Sequence, residues 1–177
     1  MIRLDIGGGI NPRDGFTSVD QLATADVQCQ FEDMEPGSLP WTDDAVDEVY
    51  SSHCFEHIEN YHGLLHEICR VCKAGSRVEI RVPHWASSMA HCAGHRHAIG
   101  EKQIAHWHEF PEAWWGESPK RLKLLETIRI PSENFSEAKG LFPKLTDDQI
   151  MRFVQDTCHE IRFVFTVEVA PDSPSAT

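Results

Sequence analysis

The sequence has no run of eighteen consecutive apolar residues, and its first residues lack the basic and then apolar stretches of a secretory signal. We therefore expect no membrane insertion and no export, and a cytoplasmic location is the default. Basic residues are few as well: 16 Lys and Arg stand against 28 Asp and Glu, for a formal net charge of -12. That charge repels a phosphate backbone, so nucleic acid is disfavoured as a partner.

A disulfide framework is also missing, since the six cysteines follow no tight spacing in this chain of 177 residues. We expect free thiols in a reducing compartment. Hydrophobic residues make up 41% and charged residues 25%, as in an average soluble globular protein. The length fits a single domain, which we place at residues 1–170, followed by a small, polar and flexible tail at 171–177.

Short β-prone stretches alternate with helical patterns along the chain. Strands are predicted at 3–6, 16–19, 27–31, 46–51, 77–82, 124–130 and 161–169, and helices at 56–72, 101–110 and, after a possible capping box in "TDDQ", 146–158. In the centre of the chain a strand, a helix and another strand follow one another. This order favours parallel pairing of the strands with right-handed crossovers. The predicted fold class is α/β: a doubly wound, mostly parallel sheet with helices on both faces and a His/Trp-rich insertion after the fifth strand.

The first strand runs into the glycines of "DIGGG", where a ligand can approach the backbone closely. Two ligands suit such a turn: a nucleotide phosphate at a helix N-terminus, or an adenosyl group without a pyrophosphate. A dinucleotide fingerprint fails because Pro12 stands where the third glycine belongs, and no Gly-Lys-Ser/Thr follows for a Walker loop. Asp20 ends the second strand and could accept both hydroxyls of a ribose. The simpler alternative is a tight turn with Asp20 as a surface loop residue.

Six motifs, of which the glycine turn and Asp20 are the first two, occur along the chain in a fixed order. They are Asp5 to Gly9, Asp20, Gln30 with Phe31, Leu39 to Trp41, Asp47 to His53, and Glu56 with His57. In this order, and with the helix that carries "RVCKAG", the first half of the chain resembles the class I, Rossmann-like S-adenosylmethionine-dependent methyltransferases, in particular their small, type-11-like branch. The resemblance implies a methyltransferase that uses S-adenosyl-L-methionine and acts on a small-molecule or protein-borne acceptor.

The resemblance also implies roles for single residues. Its cofactor-binding positions correspond to Asp5, Gly7, Gly8, Gly9, Asp20, Gln30, Phe31, Ser52 and His53. The glycines would lie against the amino acid part of the cofactor and Asp20 against the ribose. Gln30 and Phe31 would frame the adenine, with Glu32 and Asp33 competing for its amine. Ser52 and His53 would lie by the methionine portion.

Methyl transfer from a sulfonium is an in-line displacement, so the protein must orient two reactants and remove a proton from the acceptor if it carries one. His57, with Glu56 beside it, is the first candidate for the base, and His53 is the second. Both have structural alternatives, since His53 could only shape the pocket and His57 could begin a helix.

The segment from His84 to Trp115 holds six of the eleven histidines and four of the five tryptophans. Zinc ligation by His91, Cys92, His95 and His97 is one interpretation, but the four-ligand pattern is incomplete, and we assign no metal ligands. The tryptophans are expected to pack the insertion or to form an apolar wall for an acceptor. Cys69 and Cys72 fit core packing. Two rival functions remain open: an inactive module that binds S-adenosylmethionine or S-adenosylhomocysteine, and a metal-binding protein centred on this segment.

Overall fold

The computed structural model describes residues 1–32 and 34–170, so the predicted tail at 171–177 and Asp33 lie outside the described residues. Seven strands form one sheet in the order β3-β2-β1-β4-β5-β7-β6. The strands are β1 Arg3–Ile6, β2 Thr17–Asp20, β3 Val27–Gln28, β4 Val46–Ser52, β5 Cys72–Pro83, β6 Lys120–Pro131 and β7 Cys158–Val169. The first five pair in parallel and β7 runs antiparallel between β5 and β6, which confirms the predicted α/β fold with a mostly parallel sheet.

The helices differ in extent from the sequence patterns. They are α1 His62–Val71, α2 Glu101–Glu109, α3 Pro111–Trp115, α4 Phe135–Leu141 and α5 Asp147–Phe153, with short 3-10 helices at Phe55–His57 and Ser88–His91. The predicted helix at 56–72 is thus two elements, because the chain turns between Ile58 and Tyr61. The capping box of α5 is confirmed: Thr146 accepts the Gln149 N–H, and the Gln149 side chain accepts the Thr146 N–H.

One face of the sheet is apolar and carries the core. Leu4, Val49, Val78 and Phe165 follow one another in register across four strands of this face, and all four are fully buried. The α1 residues Leu64, Leu65 and Ile68 belong to the same core. Trp107 of α2 stacks on Phe165 with ring centroids 5.8 Å apart. Asp148 of α5 forms an ion pair with Arg129 of β6, and Arg129 lies in register with Ile161 on this face. Helix α5 therefore packs on the same side of the sheet.

The opposite face is polar. Asp5, Tyr50 and Glu79 lie in register on it, one position along the strands from the apolar residues. The guanidinium groups of Arg13 and Arg81 lie 4.2 and 5.0 Å from the Tyr50 ring centroid. The loop that carries Arg13 therefore covers part of this face. The sequence predicted helices on both faces, whereas α1, α2 and α5 all pack on the apolar one. A parallel sheet usually has both faces covered by helices. Here cation–π contacts and ion pairs make the polar face compatible with water.

The insertion after β5 spans residues 84–119 and packs largely through its tryptophans. Trp107 and Trp115 are buried, whereas the Trp85 side chain is exposed at the surface. Cys69 and Cys72 are fully buried, in agreement with core packing, and all six cysteines are free. Within the described ranges, every helix is too short or too polar to traverse a bilayer.

Candidate functional site

The glycine bend after β1 closes against the end of β4. Gly7 and Gly9 both have positive φ angles, 74° and 58°. A Cβ on Gly7 would lie 2.4 Å from Cβ and Sγ of Cys54, so the close approach at this position is between two parts of the protein. A Cβ on Gly9 would meet no atom of the described residues within 4 Å. Gly9 is therefore the glycine whose backbone faces open space.

Asp20 lies across this bend at the end of β2 and is 7% exposed. Its Oδ2 accepts the backbone N–H of Gly9 at 2.9 Å, and its Oδ1 accepts that of Leu22 at 3.0 Å. A carboxylate has about four lone-pair sites, so two bonds to the backbone leave acceptor capacity on both oxygens. The same carboxylate that fixes the loop can thus bind two further donors.

A cavity of about 460 Å³ opens in front of Asp20 and the glycine bend. It is lined by Gly7, Gly9, Asp20, Gln21, Leu22, Gln30, Phe31, Glu32, His53, Cys54, His57 and Ile58. Seven of the residues singled out from the sequence as cofactor-binding or catalytic thus line one space. Asp5, Gly8 and Ser52 are not part of the lining. Asp5 accepts the Arg13 N–H at 2.7 Å, and burial raises the pKa of its carboxyl group.

Glu32 and Phe31 also line the cavity. The Glu32 carboxylate accepts the backbone N–H groups of Glu59 and Asn60, at 2.9 and 3.3 Å, and so ties this wall to the turn after the Phe55–His57 helix. Phe31 is buried at 8% exposure. This side combines an apolar ring with acceptor groups, which suits a flat heterocycle with an exocyclic amine.

His53 follows β4 directly and has a positive φ of 54°, which is uncommon for a residue with a side chain. Its Nε2 lies 3.3 Å from Glu160 Oε2 and its Nδ1 lies 3.2 Å from Glu56 Oε1. These bonds, that to Glu160 foremost, raise the pKa of His53 to about 9. His53 is therefore an imidazolium at neutral pH and already holds the proton that a general base would need to accept.

Glu160 is a site residue that the sequence patterns missed. Burial alone would raise the pKa of its carboxyl group, but His53 and Arg162 outweigh burial and lower that pKa to about 2. The only signal in the sequence is a charged residue within the apolar strand β7, and such a residue has many structural explanations.

His57 lies at the rim of the cavity with an exposed side chain. Its Nδ1 is 3.2 Å from the carbonyl oxygen of Gly94, in the His-rich insertion. The ring of His95 meets the ring of His57 edge to face, with centroids 4.6 Å apart. Of the other predicted zinc candidates, His91 bonds to the Trp85 carbonyl and His97 to that of Glu59, while Cys92 is exposed.

The sheet order, with an antiparallel β7 between β5 and β6, and the cavity at the ends of β1, β2 and β4 define the fold of the class I S-adenosylmethionine-dependent methyltransferases. The family model described as "Methyltransferase domain" matches residues 9–80. Residues 9–80 thus resemble a methyltransferase domain, in agreement with the sequence motifs.

Solved structures support the same fold at low sequence identity. The YcgJ protein from Bacillus subtilis is 14% identical, with 95% of this chain and 92% of that chain covered and a TM-score of 0.57. A SAM-dependent methyltransferase from Thermotoga maritima is 9% identical, with 93% and 81% covered and a TM-score of 0.57. The [4+2]-cyclase SpnF is 14% identical, with 96% and 75% covered and a TM-score of 0.56. No curated protein matches the sequence.

Proposed function

We propose that this protein binds S-adenosyl-L-methionine and transfers its methyl group to a small-molecule or protein-borne acceptor. The observation that carries the proposal is Asp20, a buried carboxylate at the end of β2 that faces a cavity beside the glycine bend and keeps acceptor capacity on both oxygens. The match of residues 9–80 to a methyltransferase domain supports the same function.

In this proposal the cofactor lies along the cavity from Phe31 to His53. Asp20 accepts the ribose hydroxyls, and Gln30 and Phe31 contact the adenine. Gly7 and Gly9 line the part nearest the amino acid portion. Asp5 and Gly8 support the bend from behind, since the Asp5 carboxylate holds the Arg13 backbone. Ser52 positions His53 at the end of β4, close to the methyl group.

The electrostatics of the cavity favour a cationic ligand. Asp20 and Glu32 line it, and the positive charge of His53, which also lines it, is countered by the carboxylates of Glu56 and Glu160 behind that ring. A sulfonium cation is attracted to such a site, since opposite charges attract strongly where water is partly excluded. Methyl transfer then needs an aligned nucleophile more than it needs covalent catalysis. We assign the handling of the acceptor proton to His57, because His53 is already protonated.

Calorimetry with S-adenosylhomocysteine tests cofactor binding. Asp20→Asn removes the charge of the acceptor that is proposed to hold the ribose, and hydrogen bonds to charged groups contribute about 1.5–3 kcal/mol. We expect affinity to fall by about 10- to 100-fold. The matched control is Asp26→Asn: Asp26 accepts the Ser18 N–H of the same strand at 2.9 Å but does not line the cavity. Equal loss of affinity in both variants would contradict the assignment.

Release of S-adenosylhomocysteine from S-adenosylmethionine, measured over a panel of acceptors, tests turnover separately. Turnover with any acceptor supports the transferase. Binding without turnover over the whole panel favours an inactive binding module.

We also propose a reducing, cytoplasmic location, which the six free cysteines support.

A further inference from the structure

The 3-10 helix at the rim of the cavity brings together three side chains that the cofactor does not require. Glu56, His57 and His95 each offer a ligand atom, and these atoms lie within 4.8 Å of one another. In a formed site with metal–ligand bonds of 2.0–2.2 Å, neighbouring ligand atoms are about 3–3.5 Å apart. Small rotations of the His57 and His95 rings can make up the difference, since neither side chain is fully buried.

The backbone holds the two parts of this cluster together although they are far apart in sequence. The N–H groups of Arg96 and His97 both donate to the carbonyl of Glu56, at 2.7 and 3.3 Å. The Gly94 carbonyl faces His57. The segment 94–97 is therefore fixed against the 3-10 helix by three contacts, none of which involves the His95 ring. These contacts place His95 beside Glu56 and His57.

Within residues 1–32 and 34–170, two polar atoms of the cluster have no hydrogen-bond partner. Glu56 Oε2 and His95 Nδ1 are buried without a hydrogen bond, and the Glu56 side chain is 1% exposed. An unsatisfied buried polar atom costs free energy, so each such atom needs an explanation, and a bound ion is one. Because one atom is a carboxylate oxygen and the other an imidazole nitrogen, one cation can satisfy both.

The remaining contacts match those of metal ligands. Metal-bound histidines donate their second ring N–H to a carbonyl or carboxylate, and bound carboxylates are themselves hydrogen-bonded. With its Nδ1–H on the Gly94 carbonyl, His57 keeps the lone pair of Nε2 free. The second oxygen of Glu56 is held by His53. The orienting partners of two of the three ligands are thus already in place.

We propose that Glu56, His57 and His95 bind a divalent transition-metal ion at the mouth of the cofactor cavity. Two imidazoles and one carboxylate suit Zn²⁺, Co²⁺, Mn²⁺ or Fe²⁺ better than Mg²⁺ or Ca²⁺, which prefer oxygen ligands. Three protein ligands leave coordination positions open, as in catalytic sites. His57 also lines the cavity, so the ion would lie beside the space proposed for the acceptor.

The ion restricts the acceptor to hydroxyl compounds, an inference that rests on the proposed methyltransferase function. A hydroxyl oxygen of the acceptor binds the metal, which lowers its pKa, and its proton passes to water. The oxygen then attacks the methyl carbon: an O–C bond forms, the S–C bond breaks, and its electron pair returns to sulfur. The products are a methyl ether and neutral S-adenosylhomocysteine. In this scheme His57 promotes loss of the acceptor proton by binding the metal, and it does not accept the proton itself.

Metal binding is tested on the full chain after chelator treatment, by titration with Co²⁺ followed by visible absorption and with Zn²⁺ followed by calorimetry. We expect one equivalent to bind. His95→Gln should weaken binding by more than the 10- to 100-fold typical for loss of an outer-shell partner. His91→Gln is the matched control, a histidine of the same segment outside the cluster, and should bind as the unaltered chain does. Glu56→Gln, checked for folding by circular dichroism, should behave like His95→Gln.

Failure to bind either ion, or equal binding by His95→Gln and the unaltered chain, would overturn the proposal. So would a cobalt–thiolate charge-transfer band abolished by Cys92→Ser, because the ligands would then lie in the insertion alone. Calorimetry with S-adenosylhomocysteine on the metal-free chain separates the two proposals. If the nucleoside binds and metal does not, only the metal site fails. If metal binds and the nucleoside does not, the methyltransferase proposal fails and the metal site stands without its acceptor chemistry.

A separate activity assay tests whether the acceptor is a hydroxyl compound. Transfer to hydroxyl compounds should require added metal and be lost in His95→Gln but not in His91→Gln. Equal transfer with and without metal would overturn the acceptor chemistry.

Discussion

Two glycines of the same bend serve different purposes. Gly7 allows the end of β1 to touch Cys54, and Gly9 leaves backbone exposed to the cavity. The sequence motif treats the glycines alike, because a run of glycines after a strand does not reveal which neighbour each one faces. The structure separates a position that the fold needs from one that a ligand would contact.

Alanine substitutions distinguish these two roles. Gly7→Ala combines a left-handed backbone, at about 1–2 kcal/mol, with an overlap against Cys54 that costs about 1–3 kcal/mol. Urea unfolding should show a loss of about 3 kcal/mol. Gly9→Ala bears the backbone cost alone, about 1 kcal/mol, but its methyl group projects into open space beside the cavity and should weaken S-adenosylhomocysteine binding. Equal stability of the two variants would contradict this division.

The residues of the cavity differ in how far the sequence predicts them. Asp20 follows from its place at the end of a short strand opposite a glycine turn, a local pattern. Glu160 and His95 reach the site from 107 and 39 positions beyond His53 and Glu56 in the chain. Their placement depends on strand pairing and on the docking of the insertion, and no local spacing encodes either of these.

At the scale of elements, α1 organises the surrounding loops through charged side chains. Glu67 accepts the backbone N–H groups of Gly37 and Leu39, and Arg70 donates to the Leu39 and Trp41 carbonyls. The "LPW" loop is thereby fixed to the helix. At the helix end, the Lys120 ammonium donates to the carbonyls of Arg70 and Cys72 at 2.9 and 2.6 Å. A residue of β6 therefore supplies donors at the end of α1, where the Arg70 carbonyl also accepts the Asp44 N–H at 3.2 Å.

Replacing Lys120 with methionine tests this contact. Lys120 is 8% exposed, and its loss removes a donor from the Cys72 carbonyl and the Asp44 carboxylate, whereas the Arg70 carbonyl keeps the Asp44 N–H. An unsatisfied buried group costs about 1–3 kcal/mol, so we expect the free energy of unfolding to fall by about 2 kcal/mol. The control is Lys123→Met in the same strand. Lys123 lies 3.5 Å from Glu168 at the surface, and its loss should cost less than about 0.5 kcal/mol. Equal losses would argue against the capping role.

Element boundaries were predicted less well than element types. The strand expected at 124–130 begins at Lys120, because pairing with β7 extends it beyond its apolar stretch. The "KAG" segment, expected to end a helix, lies inside β5, and α1 ends at Val71. In both cases tertiary pairing overrides the local pattern, since a backbone bond to a neighbouring strand stabilises residues of any propensity.

At the scale of the molecule, the sheet carries its helices α1, α2 and α5 on one face and a charged, aromatic surface on the other. Only a short loop joins β1 to β2, and it holds the bend through the Arg13 contacts with Asp5 and Tyr50. The cavity is therefore bounded on this side by loops rather than by a packed helix. A bound cofactor would order these loops, so we expect ligand binding and global stability to be coupled.

Thermal unfolding measures this coupling. A ligand that binds only the folded state stabilises it by about 2.7 kcal/mol at a concentration of 100 Kd. For a chain of this length, 1 kcal/mol shifts Tm by about 2–4 °C, so S-adenosylhomocysteine should raise Tm by about 5–10 °C. At the same concentration Asp20→Asn should show a smaller shift, because its affinity is lower, whereas Asp26→Asn should respond as the unaltered chain does. An unchanged Tm up to about 1 mM ligand, the weak end of ordinary substrate affinities, would argue that this cavity is not a cofactor site.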